Sequence, residues 1–322
     1  MSRARKPVKR MIRRTIGRAI APLLPRSDRN PWFNFFQRLG LHVTPVHYYQ
    51  PIPDTRTLHE DLWRRGSTLT GLDVQEQAQL QLLRSFREQY VSEYDAFPLE
   101  PTATPHEFYY NNNYFRCVDP EILYCIIRRF RPRRIIEIGS GLTTYLSAQA
   151  IRRNREQYGD SCALTAIEPF ANETLRAGFP GLDRLRAVAV QEVPLAFFEE
   201  LGENDVLFID SSHVLRIGSD VQYEVLEIVP RLKKGVLVHF HDIFFPREYP
   251  QEWVLRRHRF WTEQYLVQAF LAFNDSFRIV WAGTFMHLNH PKELAEAFAS
   301  YRRKLADADW VGPGSLWIQR VK

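Results

Sequence analysis

The stretch Ile135-Ile136-Glu137-Ile138-Gly139-Ser140-Gly141-Leu142-Thr143-Thr144 constrains this chain more than any other. An apolar run follows Arg133 and Arg134, closes on an acidic residue and two glycines, and gives way to a helical pattern. This pattern predicts a strand, a tight turn and a helix N-terminus, whose free backbone N–H groups and positive dipole end receive polar ligands. Glycine in the turn lets the backbone bend sharply and approach such a ligand closely. The dinucleotide fingerprint GxGxxG fails on spacing, because the place of its third glycine is taken by Thr144. A GxG by itself also fits a plain strand-to-helix turn, so the rest of the chain has to decide.

Downstream, apolar strands recur in order and end on polar residues. Residues 163–167 run into Glu168-Pro169. An acidic residue at the end of a second strand is where a Rossmann-like fold binds ribose hydroxyls; the plainer reading is a solvated carboxylate. Residues 186–190 read as a third strand, followed by Gln191 and Glu192, either of which is placed to reach an adenine amino group. Residues 205–209 then lead into Asp210-Ser211-Ser212-His213, and residues 236–240 into His241-Asp242-Ile243. In an open α/β sheet ligands lie outside the C-terminal strand ends, so Glu137, Gly139, Glu168, Asp210, His213 and Asp242 are expected on one edge.

That ordered set resembles the class I S-adenosylmethionine (SAM)-dependent methyltransferases, in the subgroup with Asp-x-x-His after the fourth strand and His-Asp after the fifth. Ser211 stands where that subgroup usually has glycine, and the resemblance covers about residues 108–322. It implies an α/β, Rossmann-like doubly wound fold, with a mostly parallel seven-stranded sheet and an antiparallel C-terminal strand. It implies that Glu137, Gly139, Ser140, Gly141 and Thr143 contact the amino-acid part of SAM and Glu168 its ribose. Gln191, Asp210 and Ser211 complete the cofactor-binding candidates. His213 is the candidate general base, oriented by a carboxylate such as Asp242, with His241 as a further catalytic candidate. A helix-start histidine satisfied by backbone is the plainer reading of His213. In related O-methyltransferases the carboxylates ending the fourth and fifth strands bind a divalent cation, and Asp210 and Asp242 match them. That implies Mg²⁺ or Mn²⁺, with His213 or His241 able to add a nitrogen ligand. Ile243 departs from the catechol-type enzymes, which carry Asn there, and one ligand is lost. His239 and His241 alternate along a strand and share a face, so one of them is expected in the core.

Composition sets the context. With 322 residues and 45% hydrophobic content, the chain can bury a full α/β core plus an extension. Cys117, Cys125 and Cys162 lack metal-type spacing and read as reduced packing residues, which suits a cytoplasmic protein. The net charge of +6 is unevenly spread: residues 1–29 carry ten Lys or Arg and one Asp, +9, leaving −3 for the rest. A slightly acidic body does not favour nucleic acid, so a small-molecule or sugar acceptor is expected. The basic tail, residues 1–30, spaces Ile12, Ile16 and Ile20 helically among arginines. It reads as a disordered arm, an amphipathic helix giving peripheral membrane contact, or a targeting peptide.

Residues 31–106 read as an irregular and helical extension, with aromatics at 32–49 packed onto something else and a helix over 72–94. Residues 107–322 form the catalytic domain. Strands are expected at 277–285 and 315–321, and acceptor choice is assigned to the extension and the loop 244–250. The function expected is methylation of a small-molecule or sugar hydroxyl. A nicotinamide-dependent oxidoreductase and a non-catalytic SAM-fold interaction module are the alternatives.

Overall fold

The seven expected strands form one sheet. They are β1 (Arg134–Ile138), β2 (Ala163–Ile167), β3 (Arg184–Arg186), β4 (Val206–Ile209), β5 (Leu237–Phe240), β6 (Phe277–Ala282) and β7 (Leu316–Arg320). Their order is β3-β2-β1-β4-β5-β7-β6. The first five are parallel, and β7 runs antiparallel between β5 and β6. The computed structural model describes residues 32–305 and 310–322. The tail expected over residues 1–30 lies outside the described residues.

The chain divides into two compact units, Met1–Leu62 and Trp63–Lys322. In the first, the described residues hold a short helix, α1 (Phe33–Arg38), in which no residue is buried. Trp32, Phe35, Tyr48 and Tyr49 are exposed. In the second unit α2 (Glu76–Tyr94) belongs with the sheet, together with α3 (Asp119–Phe130) and α4 (Leu142–Tyr158).

Strand alternation divides the apolar residues between two cores. Ile135, Leu164 and Phe208 pack with Leu83 and Phe86 of α2, Ile122 and Ile126 of α3 and Leu146 of α4. Ile136, Ile138, Leu207 and Ile209 pack on the other side with Val221, Val225, Ile228 and Val267. The central strands are therefore covered on both faces, which is why they read as unbroken apolar runs. Arg128, 1% exposed, is held within the first core by the carboxylate of Glu93 at 2.8 and 3.0 Å.

Two expected strands are displaced. The third is Arg184–Arg186, earlier than the apolar run 186–190. Val190 and Val193 instead bury themselves in the second core, leaving a short edge strand before a 3-10 turn. The sixth ends at Ala282, where α7 (Gly283–Asn289) begins. At Gly283 a Cβ would approach Pro313 Cβ and the Ser315 carbonyl to 3.2 Å, and its N–H bonds that carbonyl at 2.8 Å. Cys117, Cys125 and Cys162 are free thiols. No described helix is long and apolar enough to cross a membrane.

Candidate active site

Strand order reverses between β2-β1 and β4-β5, and the candidate residues collect at that switch point. Each ladder continues one residue past its strand. Gly139 N–H bonds Ile167 O at 3.0 Å, Asp210 N–H bonds Ile138 O at 2.8 Å, and His241 N–H bonds Ile209 O at 2.9 Å. This registers Gly139, Asp210 and His241 along one edge.

The glycine turn is built around Gly139. Its φ of +78° lies in the left-handed region, and a Cβ there would sit 1.8 Å from the Asp210 carbonyl oxygen. Gly141 differs, since nothing lies within 4 Å of the position a Cβ would take. The Thr144 hydroxyl accepts the Gly141 N–H at 3.0 Å, so the residue that breaks the dinucleotide spacing caps the helix. From β2, Glu168 Oε2 accepts the Ser140 N–H at 3.2 Å while its Oε1 accepts the Phe170 N–H at 2.7 Å. Beneath the turn, the Thr143 hydroxyl donates to Glu137 Oε1. Among the described residues, Glu137 Oε2 and Ser140 Oγ are buried without a hydrogen-bond partner. Burial pushes the Glu137 carboxyl up to about 8. Two orphaned buried polar atoms, beside an open glycine and a free helix end, fit the polar amino-acid end of a SAM-like ligand. Gln191 lies apart on the exposed turn after β3, its amide on the Gly218 carbonyl at 3.2 Å. Ser211 turns inward, its hydroxyl 2.8 Å from the buried Glu224 carboxylate.

Next to this cradle, His213 is 5% exposed and surrounded by acids. Its Nδ1 lies 2.9 Å from Glu263 Oε2. Its Nε2 lies 3.3 Å from Asp210 Oδ1 and 3.8 Å from Asp242 Oδ2. The carboxylate that orients the ring is thus Glu263, at the start of α6 (Glu263–Leu271), and not Asp242. The His213 carbonyl accepts the N–H groups of Thr262 and Glu263 at 2.9 and 3.1 Å, and Trp261 lies against the imidazole with centroids 4.3 Å apart. His213 and Asp242 adopt φ of +60° and +54°, sparsely populated for non-glycine residues. Burial opposes charge on His213, but its bonds to Asp210 and Glu263 hold the ring well above the ordinary histidine range. Burial likewise opposes the Asp210 carboxylate, yet His241 and His213 pull it down to about 2.

Asp210, His213, His241 and Asp242 open onto a cleft of about 640 Å³. Of the paired histidines, His239 is the core residue, wholly buried, stacked on Phe208 at 3.9 Å and bonded to Ser315 Oγ at 3.0 Å. His241 faces the cleft, with Nε2 3.7 Å from Asp242 Oδ1. In the run 108–115 Phe108, Tyr110, Asn112 and Phe115 are buried, while Asn113 and Tyr114 line the cleft. Sequence reasoning missed Glu263 and Asp119. Asp119 is 4% exposed, lines the cleft and accepts the N–H groups of Gly314 and Ser315 at 2.9 and 3.1 Å. Asp119-Pro120 looks like an ordinary helix start, and nothing in the sequence links Glu263 to His213.

Among the described residues, no group of three His, Cys, Asp or Glu side chains is arranged to hold a metal ion. Between the Asp210 and Asp242 carboxylates stands the His213 imidazole, so these donors as arranged do not fit a cation.

Comparison with known proteins agrees with this geometry. A model of a methyltransferase domain matches residues 136–243, from β1 to the residue after Asp242. An uncharacterized protein of Archaeoglobus fulgidus is 32% identical over 176 residues, 52% of this chain and 77% of its own length. Among solved structures, apo CmcI aligns with 92% of this chain and 98% of its own at a TM-score of 0.38 and 13% identity. CmcI with Mg-SAM aligns with 72% and 84% at 0.36 and 14%. At these scores the structural likeness adds nothing to the assignment. What carries it is the matched domain together with a doubly wound sheet whose β7 runs antiparallel. The chain carries a methyltransferase domain over residues 136–243, on a sheet of the class I SAM-dependent methyltransferase type.

Proposed function

We propose that the protein methylates a hydroxyl of a small molecule or sugar, with His213 as general base. The supporting observation is a buried imidazole clamped by Glu263 at Nδ1, with Nε2 turned to Asp210 and Asp242 at the wall of a polar cleft. SAM supplies a methyl group on a sulfonium; the C–O bond forms in line as the C–S bond breaks. The chain's part is to hold the acceptor beside that carbon and take the hydroxyl proton. Asp210 and Glu263 hold His213 in its charged form, so the ring must release a proton before Nε2 can accept the one from the hydroxyl. Transfer is therefore expected to rise with pH through the raised histidine range. Glu263 keeps the ring oriented, and the Asp210 and Asp242 carboxylates stabilise the imidazolium that re-forms. Glu137, Ser140, Thr143 and the Gly139–Gly141 turn hold the amino-acid end of SAM, and Glu168 its ribose. An oxidoreductase reading loses its ground, because Thr144 occupies the third-glycine position and caps α4.

Calorimetric titration with SAM and its demethylated product tests the cofactor half. Wild-type protein binds both, and Glu168→Ala weakens binding by about 10- to 100-fold, or ~1.4–2.8 kcal/mol. A panel of hydroxylated acceptors assayed for demethylated product tests the rest. Transfer that survives His213→Asn undiminished excludes His213 as the base.

A further inference from the structure

The cleft is polarised. At its floor stand Asp210, Asp242, Asp119 and two histidines; its outer wall carries Arg116, Arg256, Arg257 and Arg259. Arg257 is neutralised by Glu252 at 3.0 Å. Arg116, Arg256 and Arg259 have no carboxylate partner among the described residues; Arg116 contacts only the neutral Asn113 amide, at 3.4 Å. Arg259 is nonetheless fixed, its guanidinium 5.0 Å from the ring centroids of both Trp253 and Trp261. The backbone around it is tied as well: Arg256 and Arg257 N–H groups bond Glu252 O at 2.9 and 3.1 Å, and Arg259 N–H bonds Trp253 O at 2.9 Å.

Three guanidinium groups brought to one cleft repel each other and gain no internal ion pair. Across the whole lining four arginines face four carboxylates, Asp119, Asp210, Asp242 and Glu252, so the excess of cation is confined to the arginine wall, where only Glu252 offsets it. Arginine presents planar, paired donors suited to phosphate and carboxylate oxygens, and a cationic wall attracts the anionic end of a ligand. We propose that the acceptor carries an anionic group, phosphate or carboxylate, which Arg116, Arg256 and Arg259 bind while its hydroxyl lies towards His213. This rests on the methyltransferase reading of the same cleft. The sequence Arg256-Arg257-His258-Arg259 is thus the acceptor-selecting element, just beyond the loop 244–250.

The test is binding of glucose 1-phosphate, glucuronate, inorganic phosphate and neutral glucose to the full chain saturated with demethylated SAM, followed by NMR at low ionic strength. Arg116→Gln, Arg256→Gln and Arg259→Gln are compared with Arg231→Gln, a surface control paired with Glu227. At least one anionic probe is expected to bind about tenfold more tightly than glucose, and to lose most of that advantage in the cleft variants but not the control. Preference for glucose 1-phosphate over glucuronate assigns a phosphate-bearing acceptor, and the reverse a carboxylate. Glucose binding as well as the anions, anion binding untouched by all three cleft substitutions, or no probe binding at millimolar concentration overturns the proposal. Failure of demethylated SAM to bind is a separate result that overturns the methyltransferase reading.

Discussion

Nδ1 of His213 lies 2.9 Å from Oε2 of Glu263, which joins the end of β4 to the start of α6 across 50 residues. Both side chains are nearly excluded from solvent, at 5% and 1% exposure. A buried imidazole held at one nitrogen has its ring direction fixed, here with Nε2 turned towards Asp210 and Asp242 at the cleft. In the proposed reaction Glu263 is therefore a positioning residue. Glu263→Gln keeps an acceptor oxygen but removes the charge, and kcat is expected to fall about 10- to 100-fold. His213→Asn is expected to cost about 10²- to 10⁴-fold in kcat. The affinity for demethylated SAM should change little in either variant. Equal losses in kcat and in that affinity would instead mark Glu263 as a general structural support.

The place of the strand-end residues on one sheet edge is legible in the sequence, and the reason is physical. Strand ends in a doubly wound sheet gather polar residues at one edge, so Glu137, Gly139, Glu168, Asp210 and Asp242 are readable from local pattern alone. Glu263 was not, because its role depends on how α6 packs against the loop after β4. The Thr262 and Glu263 N–H groups docking on the His213 carbonyl set that contact, and backbone bonds of this kind leave no sequence signature. Asp119 was hidden for a similar reason, since its carboxylate is occupied by the 314–315 backbone nearly two hundred residues away. The third strand failed on a different count. Apolar residues at an edge can pack downward into the core rather than pair, as Val190 and Val193 do.

The two glycines of the turn predict opposite phenotypes. Gly139→Ala places a Cβ 1.8 Å from the Asp210 carbonyl in a residue with φ of +78°, so backbone must move. A loss of ~3 kcal/mol or more in stability is expected, with displacement of Asp210. Gly141→Ala meets nothing within 4 Å, and the added methyl enters the cradle beside the helix end. Chemical denaturation should put that variant within about 1 kcal/mol of wild type. Calorimetry should find its SAM affinity reduced. Normal SAM affinity in Gly141→Ala would show that the ligand lies elsewhere.

Binding of SAM is expected to release protons, and the sign follows from Glu137. Burial raises its carboxyl from 4.5 to about 8 in the folded chain, so at neutral pH it is mostly protonated. Its burial therefore weakens the folded state progressively as pH rises from about 4.5 to about 8, because the unfolded chain has already released that proton. An ammonium group placed beside the unpartnered Oε2 favours the carboxylate and expels the proton. Affinity should accordingly rise with pH up to about 8 and level off above it. At neutral pH the calorimetric enthalpy should differ between phosphate and Tris buffers in proportion to the protons released. Glu137→Gln, which has no proton to lose, should erase that difference and flatten the pH dependence. Buffer-independent enthalpies in the wild-type protein would mean that Glu137 does not meet the ammonium of the ligand, and the amino-acid end of SAM would then have to lie away from β1.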